Sequence, residues 1–322
     1  MKHWLRNAAM AAVLSWIAGA ALAQGFPAKA VHIVVPFPPG GSADFLARIL
    51  ADPLAEGWGK PVIVDNRPGA STIIGAESVA RSPADGHTLF MNANSFVINQ
   101  ILRSNLPYNA AKDFAPVTLL VTSTQVIVVN ASSEIKSFQE LLDSARARPG
   151  QLSYATVGPA TTQHIAGEML RSVAKIDLIY VPFPGGAPAV NAILGNHVVA
   201  VIANYSEVSQ QLAAGRLRAV AVTSLERYPA LRDVPTVAES GFKDYEATVW
   251  FGILAPGATP KETIARIQSS MASALSLPAV RAKLGAQGMD PVGSTPEQYA
   301  AHMSAQTAKY AKVIMEAGIK GE

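Results

Sequence analysis

The chain has 322 residues, 15% of them charged, a formal net charge of +3 and no cysteine. That length gives a prior of two domains, and the lack of thiols excludes cysteine nucleophiles, thiolate metal sites, disulfides and a lipid-modified N-terminal cysteine. Setting Lys2 and Arg6 aside from the 26 basic residues leaves 24 against 23 acidic ones, and no basic stripe carries interleaved aromatics, so nucleic acid is not expected as a partner.

Residues 1–23 read as a signal peptide. Lys2 and Arg6 are its basic start, residues 8–20 are its apolar run, and Ala21-Leu22-Ala23 is a small-x-small cleavage pattern, with cutting expected before Gln24. The apolar run is shorter than the roughly 20 residues of a membrane span. The mature chain is expected to be free in the periplasm.

A β-branched strand over 31–35 leads into Val35-Pro36-Phe37-Pro38-Pro39-Gly40-Gly41-Ser42-Ala43-Asp44 and a helix over 42–56. The prolines fix φ, and the glycines let backbone N–H groups crowd toward one point in front of a positive helix end. That arrangement suits an anion before Gly40, Gly41 and Ser42, although a single such turn is more often a plain connection that binds nothing. Val181-Pro182-Phe183-Pro184-Gly185-Gly186 repeats the words after a second strand. The repeat suggests two α/β lobes of similar design.

Between and beyond these turns, strands over 62–65 and 88–91 continue the first lobe. A helix capped by Ser71 or Thr72 runs to 81. Asn92 and Asn94 fall just past the strand over 88–91. Strands over 117–121 and 126–129 read as the first crossing into the second lobe, and Ser137-x-x-Glu140 as a capping box. Strand 152–155 feeds a loop through Gly158 and Ala160 to Thr161, which caps a helix bearing Thr162 and His164. Strands over 176–181, 198–202 and 217–222 alternate with helices over 188–194 and 206–214. The chain returns to the first lobe between 245 and 254. Thr259-Pro260-Lys261-Glu262 and Thr295-Pro296-Glu297-Gln298 read as capping boxes of two C-terminal helices. Strand–helix alternation implies an α/β fold with mostly parallel sheets flanked by helices.

Ligands of parallel sheets sit outside the carboxyl ends of strands. By that rule the candidate site residues are Phe37, Pro38, Gly40, Gly41 and Ser42 on the first turn. Ser71, Thr72, Asn92 and Asn94 follow, then Gly158, Ala160, Thr161 and Thr162, and last Phe183, Pro184 and Asn204. Asp44 is a dipole-favoured acid that either bonds back to Gly41 or meets a ligand ammonium. His164, at the third position after its cap, is favoured as neutral imidazole. It either donates to a ligand or is satisfied within its own lobe. The sequence has no G-x-S-x-G, H-E-x-x-H or phosphate-loop motif and no histidine pair at metal-ligand spacing. No cofactor or metal is expected.

Taken with Asp65-Asn66-Arg67-Pro68-Gly69-Ala70, Pro83-Ala84-Asp85-Gly86-His87-Thr88-Leu89 and Gly185-Gly186-Ala187-Pro188-Ala189, the mature chain resembles the Bug-type periplasmic receptors of tripartite tricarboxylate transporters. The resemblance implies a two-lobed type II periplasmic-binding fold. Residues 24–122 and 247–322 would form one lobe and 123–246 the other. It further implies that the loop over 35–44 and the loop over 156–164 grip a small carboxylate for the membrane subunits of a transporter, and that the receptor is a monomer and not an enzyme. The chain departs from the family pattern at Ser71 and Thr72, where glycine is usual, and at Phe183-Pro184. Two other classes are weighed: a periplasmic enzyme using His164 with Asp44 or a nearby hydroxyl across the cleft, and a ligand-dependent sensory partner.

Overall fold

The computed structural model describes residues 25–158, 160–316, 318 and 319; the leader and its cleavage point lie outside the described residues. β1 (Val31–Val35), β2 (Val62–Asn66), β3 (Thr88–Ala93) and β4 (Phe114–Ser123) build a first sheet in the order β2-β1-β3-β10-β4-β11, with β10 (Val249–Pro256) and β11 (Met289–Pro291). β5 (Gln125–Asn130), β6 (Leu152–Thr156), β7 (Leu178–Pro182), β8 (Ala200–Asn204) and β9 (Leu217–Val222) build a second, ordered β7-β6-β8-β5-β9. β1 pairs parallel with β2 and β3, and β10 runs antiparallel to both β3 and β4. β6 likewise pairs parallel with β7 and β8, and β5 runs against β8 and β9. So β1 to β4 share one direction, β6 to β9 share one direction, and in each sheet a strand arriving from the other lobe opposes them. The expected mostly parallel sheets are present.

The two sheets thus have one design, but the repeated VPFP-GG words are not its footprint. The first copy follows β1, an inner strand; the second follows β7, an edge strand. The strand equivalent to β1 is β6. The same words recur because both turns meet the same local need, a stiff exit from a strand into a helix start.

Helices cover both faces. α1 (Ser42–Trp58) packs Leu46, Leu50 and Leu54 on the first sheet and ends at Gly59, whose φ of 63° is the left-handed stop that glycine adopts freely. α2 (Ile73–Ala80) and α3 (Asn94–Leu102) follow β2 and β3. α4 (Phe138–Ala147), α5 (Thr162–Ala174), α6 (Gly186–Leu194) and α7 (Tyr205–Ala213) flank the second sheet. There Leu141, Leu142 and Leu170 close on Ile127 and Ile202. α8 (Lys261–Ser276) and α9 (Pro278–Ala286) return to the first lobe, and α10 (Pro296–Glu316) packs against β4 and α3.

Two C-terminal helix starts differ. The Thr295 hydroxyl accepts the Gln298 N–H (3.2 Å) and the Gln298 side chain accepts the Thr295 N–H (3.0 Å), a complete capping box. The Thr259 hydroxyl instead donates to Pro256 O at 2.7 Å, because the chain turns there before α8 begins at Lys261.

Only Thr124 separates β4 from β5, so the first crossing is abrupt. The return crosses at Ala247, which packs in the second core while its N–H bonds Thr223 O (3.0 Å); two residues on, Val249 pairs with Ser123 in the first sheet. α10 braces this hinge. Tyr299 and Tyr310 accept hydrogen bonds from Asn92 and Asn94 (2.9 and 2.7 Å), and Lys309 pairs with Glu246 at 2.6 Å.

Candidate functional site

The β1–α1 turn uses its glycines for conformation. Gly40 lies at φ +85°, where a side chain is strained even though a Cβ would meet nothing. Its N–H donates to Asp44 at 3.0 Å, and Asp44 also accepts from Asn66 (2.9 Å) and pairs with Arg48. Burial pushes the Asp44 carboxyl up, but the bonds from Arg48, Gly40 and Asn66 outweigh it and hold the acid below its ordinary value. Of the two readings of Asp44, the bond back into the turn is seen, but it comes from the Gly40 N–H and not from Gly41.

Ser42 opens α1 and is a hub between the lobes. Its hydroxyl accepts from Asn204 Nδ2 (2.9 Å), meets Ser206 Oγ (2.7 Å) and donates to Glu207 Oε1 (3.3 Å). Asn204 is held in turn by Gln163 Nε2 at 3.1 Å. Thr161 caps α5, accepting the His164 N–H at 3.3 Å and donating to Gly158 O at 2.8 Å. The Thr162 hydroxyl bonds the Tyr310 phenol across the lobes.

Five helix starts converge on one cavity of about 590 Å³, counting its open mouth. α1 contributes Gly41 and Ser42, and α3 contributes Asn94 and Ser95. α5 contributes Thr161, Thr162 and Gln163; α6 contributes Gly186; Asn204 and Glu207 come from the start of α7. Phe37 and Phe251 form apolar walls. The two VPFP-GG turns meet here, since a Cβ on Gly185 would stand 3.5 Å from Pro38 Cγ.

Of the residues anticipated from sequence, Phe37, Pro38, Gly41, Ser42 and Asn94 line this cavity, as do Thr161, Thr162 and Asn204. Gly40 and Gly158 shape loops behind it, with Gly158 and Ala160 at φ 109° and 55°. Phe183 turns into an apolar cluster of its own lobe. Pro184 precedes the lining glycines without lining the cavity itself. Asn92 is committed to Tyr299. His164 stacks on Tyr180 (4.3 Å between ring centroids), with Nε2 4.0 Å from Glu168. It is therefore placed inside its own lobe, and it is not brought together with Asp44.

Sequence reasoning passed over Glu207. Asn204-x-x-Glu207 has the spacing of a helix-capping pair at the end of a strand, and that signal was available. Burial pushes the Glu207 carboxyl up to about 7 despite hydrogen bonds from Asn204 and Ser42.

Ser71 and Thr72 lie one step behind the lining, with the Thr72 hydroxyl donating to Ser95 Oγ (3.3 Å). Ala70, Ser71 and Thr72 have φ of 45°, 52° and 82°, a left-handed run without glycine. Each such residue costs about 1–2 kcal/mol. Ser71 contributes only its carbonyl, which accepts from Asn99 at 2.7 Å. Ser71→Gly keeps that bond and relieves strain, against a chain-entropy cost of roughly 0.5–1 kcal/mol. The expected result in denaturant titration is a gain of about 0.5–1 kcal/mol; a less stable variant would show that the turn is relaxed.

Two lobes of like topology, joined by crossing strands around a cavity ringed by helix starts, define a two-lobed binding protein of the type II periplasmic architecture. Residues 46–319 match the tripartite tricarboxylate transporter family receptor, and the chain belongs to that family. It is 35% identical to BugT of Bordetella pertussis strain Tohama I over 308 residues, 94% of each chain. Among solved structures it resembles R. palustris Rpa4515 with adipate, at 33% identity and TM-score 0.89, covering 92% of this chain and 100% of that one. It also resembles MatC from Rhodopseudomonas palustris with bound malate, at 28% identity and TM-score 0.84, covering 90% and 100%. Among the described residues no helix is long and apolar enough to cross a membrane.

Proposed function

We propose that the protein is a periplasmic receptor that captures a small organic carboxylate between its lobes and presents it to the membrane subunits of a tripartite transporter, without turning it over. The observation that carries this reading is the convergence of the starts of α1, α3, α5, α6 and α7 on one cavity. The helix starts offer N–H groups and positive dipole ends, and Ser95, Thr162 and Gln163 add neutral polar side chains to the lining. Such a site holds a carboxylate without lysine or arginine, at about 1.5–3 kcal/mol per hydrogen bond. Adipate in Rpa4515 and malate in MatC support the ligand class.

A ligand bound only by the folded state adds about 2.7 kcal/mol at a hundredfold excess over its dissociation constant. A panel of mono-, di-, hydroxy-, amino- and aromatic carboxylates should therefore contain members that raise the melting temperature by several degrees. A panel that moves nothing would refute the carboxylate reading.

A further inference from the structure

The cavity contains an acid for which capture of an anion has no evident use. Glu207 Oε2 accepts the Asn204 N–H at 3.2 Å, the ordinary back-bond of a capping glutamate. Its other bonds go to the opposite lobe, where the Ser42 hydroxyl (3.3 Å) and the Ser42 N–H donate to it. A Cβ on Gly186 would overlap the carboxylate, so the start of α6 touches it as well. Glu207 thus occupies the anion seat in front of α1, and the α3 and α5 starts, with Ser95 and Thr162, remain for a ligand carboxylate.

Nothing nearby neutralises Glu207. No lysine, arginine or histidine lines the cavity among the described residues. On α1, Asp44 and Arg48 pair with each other and turn to Asn66. On α5, Glu168 binds Tyr154 and Arg171, and His164 lies on Tyr180. α3 and α6 bring no charged side chain to the lining. The cavity therefore has an anion-accepting end and an anionic end.

Resting on the carboxylate reading above, we propose that Glu207 sets the ligand class: the cleft takes a monocarboxylate whose far end carries an ammonium, paired with Glu207, and turns away the dicarboxylate of equal length. A second ligand carboxylate beside Glu207 would require one of the two acids to hold a proton. An ammonium there keeps Glu207 ionised. Because burial already raises Glu207 to about 7, the two ligand types respond oppositely to pH. Dicarboxylate binding draws on the protonated form and weakens as pH rises through that value; aminocarboxylate binding draws on the ionised form and strengthens.

The test uses matched pairs in titration calorimetry, 6-aminohexanoate with adipate and 4-aminobutanoate with succinate, at about pH 6 and about pH 8.5. Wild type should bind the better aminocarboxylate at least about tenfold more tightly than its partner at the higher pH. Proton uptake with the dicarboxylate should appear as a heat that depends on the buffer. Glu207→Gln, which keeps the shape and one acceptor, should lose both the preference and its pH dependence. The proposal is overturned if wild type binds a dicarboxylate as tightly as its amino partner at both pH values without proton uptake, or if Glu207→Gln leaves the preference unchanged. The wild-type pH series decides by itself should the variant misfold. If no member of either pair, nor any of the wider panel, binds wild type, the carboxylate reading fails and this inference falls with it.

Discussion

Asn94→Leu is expected to lower the unfolding free energy by about 3–5 kcal/mol, the largest stability loss among the substitutions considered, because it strands buried backbone at the hinge. Asn94 is 1% exposed. Its Oδ1 accepts the Trp250 N–H at 3.0 Å, and its Nδ2 donates to Thr248 O (3.2 Å) and to the Tyr310 hydroxyl (2.7 Å). Leucine has similar bulk but neither donor nor acceptor. The Trp250 N–H and the Thr248 carbonyl would then stay buried without these partners, at about 1–3 kcal/mol each, and the Tyr310 bond would be lost as well. A chemical-denaturation midpoint that falls with an unchanged slope is the expected signature. A loss below about 1 kcal/mol would mean that water or a neighbour replaces Asn94, and that the hinge does not depend on it.

The same residue shows where sequence reading stops. Strands β1 to β9 announce themselves as short apolar runs, β-branched in β1, β5 and β7, and the first crossing reads as two adjoining strands, whereas β10 carries no strand reading of its own between 245 and 254. Asn94 was recognised as lying at a strand end, but α3 was not seen to begin there. What fixes Asn94 lies 154 and 216 positions away, at Thr248 and Tyr310, and no local pattern encodes such partners. His164 is similar. Its place after the Thr161 cap was legible, whereas its stacking on Tyr180 depends on how α5 crosses β7. Glu207 combines both cases. Its cap spacing to Asn204 is local, but its reach to Ser42 is 165 positions in sequence and exists only once the lobes meet. The VPFP-GG repeat points the opposite way: a genuine local resemblance that the sheet order assigns to unlike strands.

Ser42→Ala should separate closure from folding, and it carries the largest expected effect on binding. α1 begins at Ser42 after Gly41, and no side chain caps it there. Alanine is the best helix former, so the helix start is kept. The Ser42 hydroxyl, by contrast, bonds only across the cleft, to Asn204, Ser206 and Glu207. Its removal leaves Asn204 Nδ2 and Glu207 Oε1 short of a partner in the closed form, while in an open form water reaches both. The cost therefore falls on the closed state. Two weakened buried groups at about 1–3 kcal/mol each give an expected loss of roughly 2–6 kcal/mol in carboxylate affinity, about 30- to 20,000-fold. Thr162→Val tests the other grip at nearly constant volume. Its hydroxyl also bonds Tyr310 across the lobes, so a smaller loss of about 1 kcal/mol is expected. Calorimetry measures both, with circular dichroism confirming that each variant is folded. If Ser42→Ala, folded, binds within about threefold of wild type, Ser42 is not the contact through which the lobes close on a ligand. The grip would then have to be sought at the α3 and α5 starts alone.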